Sequence, residues 1–284
     1  MSYPAQVWLQ HLLPKRLLCR VVHGAARARA PWLKDPLIRW FARHYHVDLS
    51  EAETATLTDY PTFNAFFTRA LKPGARPLEG DERTIVSPAD GLLTEFGRAR
   101  AGQLLQAKNM RYSLAELLGE DEKEAARFVD GAYLTIYLAP HNYHRVHTPV
   151  AGTLIRTRYI PGRRLSVNAV TAGAVHGLFA RNERVVCTLA TAAGRLAVVL
   201  VGALNVSSIS TTALGDIESG APRVWQHEPG IPLARGAELG RFNLGSTVVL
   251  VFERGAAEWR DGLENGTEVR LGRALGRLYA EAFA

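Results

Sequence analysis

Hydrophobic positions recur at helical spacing near the start of the chain and gather into short β-branched runs further along. Leucine and aromatic residues repeat in this way between Trp8 and Leu17, and again between Leu37 and Tyr45 after Pro36, which predicts short amphipathic helices. From Thr84 onwards, apolar runs separated by Gly, Pro and Asp predict strands. These runs cover residues 84–86, 133–138, 152–160, 185–189, 196–201 and 247–252.

One helix is expected to interrupt the strands, because Ser113 and Glu116 form a capping box and Gly119 provides a stop. The chain has 284 residues and 47% of them are hydrophobic, enough to bury a substantial core. The pattern predicts an α+β protein with an amphipathic helical region over residues 1–60. Residues 61–284 are expected to form a β-rich antiparallel core, either a sheet or a barrel-like arrangement.

The cysteine content and the longest apolar run indicate the compartment. Cys19 and Cys187 are the only cysteines, too few for a disulfide framework and typical of a reducing environment such as the cytosol. The longest uninterrupted apolar run covers residues 196–204, far short of the roughly 18 residues that a membrane-spanning helix needs. No transmembrane segment is therefore expected.

Positive charge is concentrated at the N-terminus. Residues 1–45 hold eight Lys and Arg against a single acidic residue, Asp35, while the rest of the chain is balanced. Basic amphipathic helices with aromatic side chains are typical of segments that lie in the interface of an anionic membrane. The alternative is a pair of helices packed on the core with a solvated basic face. Nucleic-acid binding is disfavoured because no recognition motif accompanies the charge.

The bond between Gly245 and Ser246 is the candidate for chemistry. It stands directly before an apolar strand, and glycine offers little hindrance to attack by the following serine hydroxyl on its carbonyl carbon. Such an attack would give an ester. Elimination and hydrolysis would then leave a pyruvoyl group at the N-terminus of a fragment covering residues 246–284.

The tetrapeptide at 244–247, Leu-Gly-Ser-Thr, resembles the self-cleavage motif of the phosphatidylserine decarboxylases, which carry such a pyruvoyl group. Further blocks similar to this family occur in the family's order between about residues 60 and 275, and several blocks at consistent spacing are far more specific than one tetrapeptide. They cover residues 63–69, 72–77, 87–91, 143–149, 177–179, 182–185 and 236–242. Asn142, where family members commonly have Asp, and Ser207, where Gly is expected, depart from the family pattern.

Candidate site residues follow partly from chemistry and partly from the resemblance. Ser246 needs a base to remove its proton, and His147 is the best candidate because histidine titrates near neutrality. The resemblance implies that Asp90 orients His147 in a Ser-His-Asp relay, although Asp-Gly at 90–91 is also an ordinary tight turn. It also implies that His144 returns a proton after decarboxylation. His141, His144 and His147 could share a helix face, but no zinc signature accompanies them, so no metal is predicted.

The resemblance implies conversion of phosphatidylserine to phosphatidylethanolamine, with the amine of the headgroup held on the pyruvoyl carbonyl as a Schiff base. Its expected partners are the lipid substrate, an anionic membrane surface contacted through the N-terminal helices, and a second copy in a homodimer, on the cytoplasmic face of the cell membrane. A pyruvoyl decarboxylase of a soluble amino acid and a lipid-binding module that is not cleaved remain alternatives. A serine hydrolase is a third, although the Gly-x-Ser-x-Gly elbow is missing around Ser246.

Overall fold

The computed structural model describes residues 15–120, 122–203, 209–243 and 246–279. The predicted helical start is confirmed over these residues, whereas Trp8 and the leucines that follow it up to residue 13 lie outside them. Pro31, whose fixed φ suits a first turn, begins the second helix. The helices are α1 (Lys15–Arg27), α2 (Pro31–His44) and α3 (Phe63–Phe67), with a 3₁₀ turn at Leu57–Asp59 between the last two.

An aromatic cluster joins these helices. Phe41 of α2 lies edge-on to three rings, with centroids 5.1 Å from Phe63, 6.1 Å from Phe66 and 5.8 Å from Phe67. Thr62 caps α3 by accepting a hydrogen bond of 3.0 Å from the amide of Ala65. The cluster therefore extends past residue 60, and the predicted boundary between residues 60 and 61 stays a prediction.

The main sheet contains eight antiparallel strands and is open at both edges, in the order β12-β7-β8-β9-β14-β5-β2-β16. Every residue of β14 is buried, as expected for a strand covered on both faces. The bounds are β2 (Gly91–Arg98), β5 (Ala132–Leu138), β7 (Gly152–Ile160), β8 (Arg184–Thr191), β9 (Gly194–Gly202), β12 (Arg223–Leu233), β14 (Ser246–Phe252) and β16 (Glu268–Val269).

Three smaller sheets, four short α-helices and two 3₁₀ turns at Arg100–Gly102 and Ala107–Asn109 complete the described structure. One sheet has the order β11-β10-β13-β6, another β1-β17-β15, and β3 pairs with β4. Their strands are β1 (Thr84–Val86), β3 (Gln103–Leu105), β4 (Arg111–Ser113), β6 (Arg145–His147), β10 (Ile209–Thr211), β11 (Gly215–Ile217), β13 (Glu238–Phe242), β15 (Ala257–Trp259) and β17 (Ala274–Leu278). The helices are α4 (Leu114–Leu118), α5 (Glu122–Ala126), α6 (Ala169–Ala172) and α7 (Leu178–Arg181).

The predicted capping of α4 is confirmed. Ser113 accepts a hydrogen bond from the amide of Glu116, and Gly119 ends the helix with a φ of +62°, a conformation that favours glycine. Together with the antiparallel sheets, the separate N-terminal helices confirm the predicted α+β class. Over the described ranges, no helix combines the length and the apolar character that crossing a bilayer requires.

The position of the candidate site follows from two adjacent strands. The last residue of β5, Leu138, lies opposite Ser246, the first residue of β14. The chain then runs from Leu138 through residues 139–144 into β6. This connection carries His144 back towards the same end of the main sheet, where the amide of Phe242 donates a 3.0 Å hydrogen bond to its carbonyl.

Candidate active site

Ser246 is held by backbone pairing on both sides while its hydroxyl is left without a partner. The residue is 1% exposed and lies between Leu138 of β5 and Gly202 of β9. Within the described residues, its Oγ makes no hydrogen bond. A buried hydroxyl without a partner costs about 1–3 kcal/mol, so such an atom is uncommon in a core. Gly245, the other half of the predicted cleavage bond, lies outside the described residues.

His147 has both ring nitrogens in hydrogen bonds. Nδ1 lies 2.8 Å from the carbonyl oxygen of Gly236, and Nε2 lies 3.0 Å from the hydroxyl of Tyr143. A carbonyl can only accept, so Nδ1 carries the hydrogen and Nε2 presents its lone pair to the Tyr143 hydroxyl. Burial lowers the pKa of His147 below its usual value. His147 is therefore a neutral imidazole with a basic Nε2, the form that a general base needs.

Tyr143 is a hydrogen-bond partner of His147 that the sequence pattern did not predict. It is 5% exposed, and burial raises the pKa of its hydroxyl well above the usual value. The hydroxyl therefore stays protonated and can donate to His147. An aromatic residue inside a histidine-rich block was the available signal, but spacing alone did not show that Tyr143 would contact the residue four positions later.

Asp90 bonds to groups other than His147. Its carboxylate accepts from Arg76 through Nε (3.1 Å) and Nη2 (2.7 Å), and from the amide of Leu271 (2.8 Å). The hydrogen bonds that Arg76 donates to Asp90 are also the main cause that raises the pKa of Arg76. Asp90 still acts on His147 at longer range, because its charge partly opposes the effect of burial on the pKa of that histidine. The turn and β6 are joined by the His147 amide, which donates to the Pro88 carbonyl at 2.8 Å.

His144 is enclosed by the protein and packs against an aromatic ring. It is fully buried and stacks on Phe67, with ring centroids 4.0 Å apart and planes 21° from parallel. Neither ring nitrogen has a partner of good hydrogen-bond geometry among the described residues. Burial, followed by the nearby positive charge of Arg69, lowers the pKa of His144 to about 3. The ring is therefore neutral across the physiological range.

The structure thus divides the four predicted residues into two pairs. Ser246 and His144 lie on segments that adjoin the end of the main sheet where β5 and β14 meet, since Ser246 pairs with Leu138 and the carbonyl of His144 accepts from the amide of Phe242. His147 and Asp90 lie at the other end of β6, beside the turn at residues 87–91. No direct hydrogen bond joins Asp90, His147 and Ser246 in the described part of the chain, and their catalytic roles stay predictions.

A family model described as phosphatidylserine decarboxylase matches residues 63–277, which is most of the chain. The chain belongs to this family. The resemblance drawn from the sequence blocks is therefore confirmed. A second family model, described as PSD, matches residues 5–46, the basic segment at the N-terminus of this decarboxylase-family chain.

Curated relatives support the same family over nearly the whole length. The phosphatidylserine decarboxylase proenzyme of Methylococcus capsulatus is 47% identical over 272 residues, covering 94% of each chain. That of Pseudomonas aeruginosa strain LESB58 is 48% identical over 283 residues, covering 97% of this chain and 98% of the relative. That of Halorhodospira halophila is 50% identical over 269 residues, covering 94% and 91%.

The block at residues 63–69 of this family member positions the segment that carries His144. Phe67 stacks on His144, and Arg69, although 5% exposed, donates through Nη2 to the carbonyl oxygen of His141 at 2.9 Å. The carbonyl of Thr68 accepts from Nε of Arg145 at 2.9 Å. Residues 67–69 therefore contact the chain before, at and after His144 and fix its position.

Asn142, the departure from the common family residue, has a structural task. Its Oδ1 accepts a 2.7 Å hydrogen bond from the amide of Ala139 and closes the turn between β5 and β6. An aspartate has the same acceptor atom at this position. The replacement therefore leaves the turn intact, and a carboxylate at this place is not needed to shape it. Ser207, the second departure, lies outside the described residues.

Proposed function

We propose that this chain is a phosphatidylserine decarboxylase, made as a proenzyme that cuts itself between Gly245 and Ser246. The observation that carries the proposal is the buried hydroxyl of Ser246 at the start of the central strand, which has no hydrogen-bond partner among the described residues. It stands within a family match covering residues 63–277. A hydroxyl that forms no hydrogen bond in the core is free to approach the carbonyl carbon that precedes it.

Maturation begins with the attack of Ser246 Oγ on the Gly245 carbonyl carbon. The Gly245–Ser246 C–N bond breaks, an ester forms, and the proton lost by Oγ ends on the new amine. The neutral Nε2 of His147 is the proposed acceptor of that proton, through movement of one of the two side chains or a bridging group. Elimination then removes the Cα proton of residue 246 to a base and breaks the Cβ–Oγ bond, which leaves a carboxylate on Gly245 and dehydroalanine at position 246. Hydrolysis, which consumes one water and releases ammonia, then converts residue 246 into an N-terminal pyruvoyl group.

The residues around Ser246 suit a pyruvoyl group. Such a group would supply the electron sink that loss of carbon dioxide from the serine headgroup requires. His144, which is fully buried and stacks on Phe67, lies on a segment that adjoins the same end of the sheet. An anionic headgroup beside the ring would raise the pKa of His144, because an opposite charge favours the protonated form. We therefore expect substrate binding to charge His144, which then donates a proton to the headgroup carbon.

The N-terminal helices are the proposed contact with the membrane. Trp32 is 78% exposed and Trp40 is 56% exposed, while Arg39 and Arg43 also face solvent on α2. Exposed indoles combined with basic side chains favour an anionic lipid interface. The enzyme would thus work as a peripheral protein on the cytoplasmic face of the cell membrane. A homodimer remains part of the proposal through the family resemblance.

Intact mass under denaturing conditions tests the proposed maturation. The wild-type chain should give two fragments, the smaller beginning at residue 246 with a ketone in place of an amine. Ser246→Ala should give one full-length chain that does not decarboxylate phosphatidylserine in vesicles. Thr247→Val is the matched control, since the buried hydroxyl of Thr247 likewise has no partner in the part of the chain that the structure describes, but Thr247 does not follow glycine. Normal cleavage in Ser246→Ala would rule out the proposal.

A second measurement tests the membrane contact. Trp32→Ala combined with Trp40→Ala should weaken co-sedimentation with vesicles containing phosphatidylglycerol by about tenfold, because two exposed indoles no longer enter the interface. Val224→Ala, which alters another exposed hydrophobic residue, serves as the control. Equal binding by the double variant and the wild type would overturn the assignment of this surface.

A further inference from the structure

The side chain of Asn243 is held from two sides just before the proposed cleavage bond. Asn243 is 1% exposed and lies three residues before Ser246. Its Nδ2 donates to Ser210 Oγ at 3.0 Å, and its Oδ1 accepts from Nδ2 of Asn64 at 3.1 Å. Ser210 belongs to β10 and Asn64 to α3, so two separate elements fix the orientation of one amide group.

The hydrogen bonds continue from Ser210 to the surface. Its hydroxyl donates to Asp216, on the neighbouring strand β11. The other carboxylate oxygen of Asp216 lies 2.6 Å from Nη2 of Arg27, near the end of α1. Burial acts to raise the pKa of Asp216, but the hydrogen bonds from Ser210 and Arg27 outweigh it and keep the pKa below the usual value. The carboxylate is therefore ionised when it accepts from Ser210, and a bond to an ionised acceptor is stronger than a neutral one.

We propose that Asn243, Ser210 and Asp216 form a positioning chain for self-cleavage, anchored on α1 through Arg27. The inference rests on the proposed function, because it concerns the same bond between residues 245 and 246. Two residues separate the held amide of Asn243 from Ser246, which backbone pairing fixes on both sides. Both ends of this short connection are thereby fixed. Attack by a hydroxyl on the adjacent carbonyl needs close alignment, and a small misplacement slows such a reaction strongly.

The test follows self-cleavage in cell-free synthesis, where a labelled full-length chain can be chased into its two fragments. Ser210→Ala and Asn243→Ala should each slow the first-order appearance of fragments by about tenfold, the factor that corresponds to about 1.36 kcal/mol of lost alignment. Ser210→Thr, which keeps the hydroxyl, should restore most of the rate. Thr212→Ala is the matched control, because Thr212 lies in the following turn and bonds to the carbonyls of Glu238 and Leu239 instead.

Folding must be separated from positioning. Each substitution is therefore repeated in the uncleavable Ser246→Ala chain, and the thermal midpoint is measured. We expect cleavage per folded chain to slow, while the fragments that do form decarboxylate phosphatidylserine at the wild-type rate per pyruvoyl group. Slowing that scales with the unfolded fraction, or wild-type cleavage in both Ser210→Ala and Asn243→Ala, would overturn the inference. A wild-type chain that never cleaves would instead refute the proposed function.

The outer link to α1 is tested by Arg27→Ala against Arg27→Lys. The ion pair is partly exposed, with side-chain exposures of 36% for Arg27 and 41% for Asp216, so the expected slowing is only about twofold. Arg27→Lys should restore the rate, since a lysine keeps the charge. Wild-type cleavage in Arg27→Ala would overturn the anchoring on α1.

Discussion

His144 and His147 lie three residues apart, yet their rings meet opposite surroundings. His147 makes a hydrogen bond through each nitrogen, to Gly236 and Tyr143. His144 makes none of good geometry within the described residues and stacks on Phe67 instead. Burial lowers both pKa values, and it lowers that of His144 to about 3. The two histidines of one block therefore suit different roles. His147 has an Nε2 lone pair held in a fixed direction, whereas His144 has a neutral ring whose pKa a nearby negative charge would raise.

Removal of the proposed base, His147, is expected to have the largest effect. His147→Ala should slow self-cleavage by about 10²–10⁴-fold, the usual contribution of a positioned base, and leave most of the chain at full length. The measurement is the ratio of full-length chain to fragments over time. His141→Ala is the matched control, because His141 is an exposed histidine near the start of the same segment. Cleavage of His147→Ala at the wild-type rate would remove His147 from maturation.

For His144 we expect normal self-cleavage and impaired decarboxylation. His144→Ala should still cleave, because its ring is not the proposed base, but the mature protein should decarboxylate phosphatidylserine at least about a hundredfold more slowly. Activity is compared per pyruvoyl group, so that incomplete maturation does not count as lost catalysis. If His144→Ala instead blocked cleavage and left the activity of any mature chains unchanged, the two histidines would have the opposite roles.

Sequence patterns were enough to place the elements that carry the site. The apolar run at 247–252 is the central strand β14, which begins one residue earlier, and Ser113, Glu116 and Gly119 bound a helix as expected. Local rules govern such features, because a strand or a cap is decided within a few residues. The blocks similar to the family also identified the chain correctly.

Side-chain partners could not be predicted in the same way. The bond from Arg76 to Asp90 depends on the orientation of a connector relative to a turn, and the bond from Tyr143 to His147 depends on how one irregular segment enters β6. The chain from Asn243 to Arg27 joins residues that lie far apart in sequence and meet only in the folded chain. Nothing in spacing or residue type fixes such contacts.

The smallest expected effect is that of His144 on the free energy of unfolding at acidic pH. The pKa of His144 is lower in the folded chain than in the unfolded chain, where histidine titrates near 6.5, so the unfolded state binds more protons below that pH. The contribution of the neutral ring to the free energy of unfolding is therefore complete above about pH 6.5. It decreases as the pH falls from there towards 3, by about 1.4 kcal/mol per pH unit. Urea unfolding of the Ser246→Ala chain at about pH 7 and pH 5 measures it. His144→Leu should reduce the difference between the two pH values, whereas the exposed-site variant His141→Leu should keep it. An unchanged difference in His144→Leu would mean that the ring is not held neutral by the fold, and the contrast with His147 would lose its physical basis.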